Sequence, residues 1–287
     1  MKRSFLEKLQ RTALLNLIGA LFLLLLLPAL QLLILGPQGY GSAPATSREG
    51  LIWIQEHSAL FLLYRLALLL GFALLLGLPF ALFRIIVAQE IVGRAELEAE
   101  EENEDSDEEE AEIDEDNSVN TEEPQEADQG EQNNMPPFAW RGKGFAVIAA
   151  WTGLLGLGLL AAGTLLSTIY LWSSAATITP QTALPGNFAS VSSFFAVLTY
   201  TIGGGLLAIA GIFFGIVIVR SGRKLWPPSW VVFGYMGIAA GAIASGSAVQ
   251  IALLPTGGQA GLTTPAILLF ALWSLWFGIT VISLRPE

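Results

Sequence analysis

The chain has 287 residues, of which 53% are hydrophobic and only 14% charged, too apolar a composition for a soluble globular domain and one that places it among membrane proteins. Its formal charge of -11 is local: 20 of the 25 acidic residues lie between Glu96 and Glu131, and the rest of the chain is basic. The absence of cysteine excludes disulfides, thiolate catalysis and cysteine-ligated metals, and no carboxylate occurs from Gln132 to Pro286, so the second half must work without an acid.

The first apolar run, residues 12–35, follows Lys2, Arg3, Lys8 and Arg11. It exceeds the ~7–15 apolar residues of a signal peptide, and the small-residue site Ala43-Pro44-Ala45 lies well beyond its end, so it reads as a retained anchor. Pro28 predicts a kink in it, and Asn16 and Gln31 read as interhelical hydrogen-bonding groups. The connection that follows is rich in glycine and proline up to Gly41 and then carries Thr46-Ser47-Arg48-Glu49, the spacing of a capping box. It predicts an interfacial helix from about Ser47 that carries Trp53 and continues into the second span, residues 59–83, where Pro79 predicts a kink.

Four further runs, residues 145–172, 193–219, 230–254 and 265–284, are long enough to cross a hydrocarbon core of about 30 Å at ~1.5 Å per residue. The expected fold is therefore an all-α bundle of six transmembrane helices. Lys and Arg set its orientation: apart from Arg48 and Arg65, every basic residue falls at one end of the spans, which predicts both termini in the cytoplasm. Tyr170 and Trp172 are expected as interfacial anchors outside, and Trp226 and Trp230 inside. The chain thus divides into residues 1–95, with two spans and the interfacial helix, an acidic cytoplasmic segment 96–134, and residues 135–287 with four spans. The acidic segment has too few apolar residues to bury a core and is expected to be disordered. It reads as a solvated spacer or as a docking handle for a basic cytoplasmic protein. Asp105-Ser106-Asp107 lacks the glycine of a calcium-binding loop, and no internal repeat is evident.

Arg65 is the sharpest candidate for function, because an ionised residue within a span is costly and usually has a purpose. Eighteen uncharged residues, about 27 Å of helix, separate it from Arg84, so the two arginines are expected to snorkel to opposite surfaces; the alternative is a buried ion or substrate contact in a cavity. His57, next to Glu56, reads as an interface residue, since one imidazole without a second ligand makes a poor metal site. Ser245-Gly246-Ser247 lacks the base that a serine nucleophile needs. Gly211 with Gly215, and Gly237, Gly241 and Ser245, form small-residue stripes expected to let helices pack closely, and Gln250 reads as another interhelical hydrogen-bonding group.

Gly211-Ile-Phe-Phe-Gly215 running to Arg220-Ser221, then Trp226-Pro-Pro-Ser-Trp230 and Gly234-Tyr-Met-Gly237, resembles a family of bacterial six-helix integral membrane proteins known only as a domain of unknown function. The resemblance implies the fold and topology but no activity, and the acidic segment departs from it. The leading expectation is a non-enzymatic scaffold or regulatory protein that partners the lipid bilayer, uses no cofactor or metal and binds no nucleic acid. The alternative is a small-solute transporter or channel with Arg65 lining a cavity; an enzyme ranks third, for want of acid, base and nucleophile groups within the spans.

Overall fold

A computed structural model describes residues 3–89, 137–179, 184–253 and 261–283. The acidic segment lies outside the described residues. Among the described residues, six helices are long and apolar enough to cross a membrane: α1 (Leu6–Gln38), α3 (Ser58–Gln89), α4 (Gly144–Thr177), α5 (Phe188–Gly222), α6 (Pro228–Leu253) and α7 (Thr263–Ile282). A short helix, α2 (Arg48–Glu56), lies between α1 and α3. The chain is a polytopic, all-α membrane protein. Leu32, Leu33, Leu63, Leu66, Trp151 and Val249 are exposed on the outer faces of the spans, a distribution that water would penalise and hydrocarbon does not.

Each spanning helix packs on its neighbour in chain order, and α1 closes the ring against α7. The most extensive contact joins α5 and α6. Gly211 and Gly215 face Gly234, Gly237 and Gly241, so closely that a Cβ on Gly241 would sit 2.7 Å from the Ala208 carbonyl oxygen and one on Gly211 3.0 Å from that of Gly237. Backbones approach because no side chain intervenes. The Ser245 hydroxyl donates to the Gly241 carbonyl of its own helix at 2.9 Å.

The helices depart from regularity at places with local causes. Two π-helical turns, Phe22–Leu26 and Leu30–Leu35, flank Pro28, which has no N–H to donate. In α3 the turn at residues 75–77 interrupts the helix just before Pro79, which then occupies the first turn of the resumed helix, where its missing N–H costs nothing.

Several expectations are corrected. The cap of α2 is Ser47 accepting from the Gly50 N–H at 3.1 Å, one residue later than the capping-box spacing implies, so Glu49 is not placed to reciprocate. Nor does α2 run on into α3: His57 breaks the helix at φ -119°, ψ 35°. Trp226 and Trp230 are not interfacial anchors but are buried in an aromatic core, where Trp230 meets Phe233 and Phe233 stacks on Trp273 at 5.1 Å. The Trp273 Nε1 is satisfied by the Phe233 carbonyl at 3.1 Å. Trp172 is exposed as expected of an anchor, whereas Tyr170 turns inward onto Phe188 and Phe195. Asn16 is fully buried, yet neither its amide nitrogen nor its oxygen has a hydrogen-bond partner, and Gln31 is exposed. Gln250 bonds not to a neighbouring span's side chain but to the Leu262 N–H at 3.3 Å, at the entry to α7.

Candidate functional site: a polar cavity beside α2

At the end of the bundle that carries α2, a half-open cavity of about 630 Å³ lies between α1, α2, α3, α4 and α5. Its wall follows helical periodicity. On α5 it comprises Ser192, Phe195, Ala196, Thr199 and Tyr200; on α4, Ser167, Tyr170 and Leu171; on α3, Phe61 and Arg65; on α2, Glu49, Ile52, Trp53 and Glu56 among others. Residues spaced three, four and seven apart occupy one face of a helix, so each helix turns one stripe toward the same space.

Arg65 sits seven residues into α3, about 10 Å along the helix at ~1.5 Å per residue. It does not turn to lipid. Its Nη2 donates to the Ser167 hydroxyl at 2.9 Å, and Ser167 in turn donates to the Thr164 carbonyl at 3.1 Å. The guanidinium carbon lies 5.6 Å from the centre of the Phe61 ring, within range of a cation–π attraction. Among the described residues no carboxylate pairs with it, and its Nε is buried without a partner. Two further groups of the wall share that condition: the hydroxyls of Ser192 and Thr199 are buried and unpartnered, although native structures leave few such groups unsatisfied. Thr199 and Tyr200 belong to a π-helical stretch, Val197–Gly203, a deformation that recurs at functional sites.

The α2 side is held by aromatic rings. Tyr40 lies 5.0 Å from Trp53 and 5.6 Å from Tyr64, and His57 stacks on Trp53 at 4.8 Å. The Trp53 Nε1 donates to the Gln38 carbonyl at 2.6 Å, tying α2 to the end of α1. Gly39 and Gly41 supply the left-handed backbone, both at φ 86°, that brings Tyr40 back over the cavity. Burial raises the pKa of the Tyr40 phenol, against the opposing pull of the Arg65 charge, so at neutral pH it is a protonated hydroxyl facing the cavity.

Tyr200 also lines a second, apolar cavity of about 40 Å³ that includes Phe72, Gly241, Ser247 and Thr263. The two spaces thus share the Tyr200 side chain. Ser247 bonds to the Thr263 hydroxyl at 2.9 Å, so neither hydroxyl is set up as a nucleophile beside a base. His57 does not line the main cavity, and among the described residues no three His, Asp or Glu side chains cluster as a metal site.

Arg65 was legible in the sequence, whereas Ser167, Ser192, Thr199, Tyr40 and Tyr200 were not singled out. Their signal lay in spacing: Ser192 and Thr199 are seven positions apart, on one face of the helix.

Fold and cavity together define a polytopic membrane protein with a polar, aromatic-lined chamber at one end. Comparison with protein-family models, with curated proteins and with solved structures gave no match.

Proposed function

We propose that the chain is a non-enzymatic, multi-pass protein of a bacterial inner membrane that admits a small charged solute to the cavity beside α2, with Arg65 anchoring the solute's anionic group. The observation that carries this reading is the setting of that guanidinium. It is a permanent charge on a spanning helix, turned to a cavity of about 630 Å³, and paired with a hydroxyl and a ring instead of a carboxylate. At the centre of a span such a charge costs roughly 2.5–3.5 kcal/mol on insertion scales and less toward its end, and a bound anion offsets that cost. The distribution of Lys and Arg supports an orientation in which the cavity opens away from the cytoplasm. The shortage of acid and base groups in the spans supports a role without catalysis. The rival scaffold reading leans on residues 96–134, outside the described residues, and on an Arg65 that meets the membrane surface; the inward-facing guanidinium favours the solute.

The test uses the natural absence of cysteine. Single cysteines at Ser167 and Ser192, on the cavity wall, and at Leu63 and Leu66, on the outer face of α3, are exposed to a membrane-impermeant thiol reagent in intact cells. Reaction at the first pair and not at the second is expected. Silence at Ser167 and Ser192 both in intact cells and in opened membranes would return the scaffold reading to first place.

A further inference from the structure

The cavity has opposite poles. Arg65 and the unpartnered hydroxyls of Ser192 and Thr199 lie on its α3 and α5 walls, whereas Glu49 and Glu56, both exposed, stand on α2. Seven residues separate the two glutamates, which puts them on the same face of α2 as the lining residues Ile52 and Trp53. Glu56 and Arg65 are nine positions apart with the helix broken at His57 between them, and among the described residues no ion pair joins them. The aromatic side chains of Tyr40, Trp53 and Tyr170 line the same cavity.

We infer that the solute is an extended zwitterion, with its anionic end on Arg65 and an ammonium end held between Glu49, Glu56 and the aromatic faces; this rests on the solute-binding reading above. A simple anion would bind Arg65 in a cavity that also carries two carboxylates, and a polyanion would bring more negative charge than one guanidinium can pair. A cation would be repelled by Arg65 at the far wall. A zwitterion meets both poles with opposite charge, and aromatic rings attract ammonium groups. The cavity volume lies in the range of pockets that hold small organic ligands, so a molecule the size of a short peptide is accommodated. The same chemistry is carried by a zwitterionic lipid headgroup.

Full-length protein in nanodiscs is titrated calorimetrically with alanyl-phenylalanine, its N-acetyl and C-amide derivatives, phenylpropionate, inorganic phosphate and glycerophosphoethanolamine. The free dipeptide is expected to bind, and blocking either end is expected to weaken it about tenfold or more, the effect of a lost charge-assisted contact. Glu49→Gln with Glu56→Gln should erase the penalty of N-acetylation while leaving that of C-amidation; Arg65→Gln should do the reverse. Binding of glycerophosphoethanolamine in place of the dipeptide keeps the zwitterion and moves its source to lipid. Phenylpropionate or phosphate binding as tightly as the zwitterions, in an Arg65-dependent way, overturns the inference and leaves the solute site intact. Failure of every probe overturns it too, and the cysteine labelling above then decides separately whether the cavity admits water.

Discussion

Arg65 and Ser167 are 102 residues apart in the chain and 2.9 Å apart in space, joined by a hydrogen bond from the guanidinium on α3 to the hydroxyl on α4. The bond turns an arginine that sequence spacing would send to the membrane surface toward the interior, and it makes α4 part of the cavity's charge.

Two substitutions separate the structural from the binding role of that pair. Ser167→Ala should lower the stability of the bundle only modestly, by about 0.6–2 kcal/mol, the range for interhelical hydrogen bonds in membranes. Arg65→Gln should weaken charged-solute binding about tenfold or more while leaving the folded bundle in place. A double-mutant cycle on unfolding in mild detergent reads the first effect, and calorimetry reads the second.

Tyr200 lines both the main cavity and the small apolar one, and its ring is predicted to act as the barrier to water between them. In a Ser247→Cys background the thiol should react slowly with an impermeant reagent, and adding Tyr200→Ala should speed the reaction at least tenfold. Equal rates would show that the ring is not the barrier.

The glycines of the α5–α6 contact are predicted to differ sharply from those elsewhere. A Cβ at Gly241 would approach the Ala208 carbonyl at 2.7 Å, while one at Gly158 meets nothing within 4 Å. Gly241→Ala should cost about 1–3 kcal/mol through overpacking. Gly158→Ala should be neutral or stabilise by up to about 1 kcal/mol through helix propensity. Thermal unfolding of both variants in one detergent makes the comparison.

Asn16 is fully buried with both polar ends unsatisfied. Asn16→Leu, which keeps the approximate volume and removes those groups, should stabilise the bundle by about 1–3 kcal/mol, the cost of an unpartnered buried polar group. A loss of stability of that size would mean that the amide is hydrogen-bonded in the membrane, to a water or to a helix that shifts to meet it.

The six spans, the small-residue faces of α5 and α6 and the presence of a charge, Arg65, inside the apolar run of α3 were all determined by the sequence. Each rests on a one-dimensional quantity: a run of apolar residues long enough for a bilayer, a period matching the helix, or a lone guanidinium in an uncharged stretch. The break at His57, the burial of Trp226 and Trp230 and the direction of Arg65 were decided only in three dimensions. An arginine at that depth has a long enough stem to reach either surface or interior, and the choice depends on whether a partner stands within hydrogen-bonding distance. Ser167 is such a partner because α4 packs beside α3, a fact about neighbours in the ring that no spacing within either helix encodes.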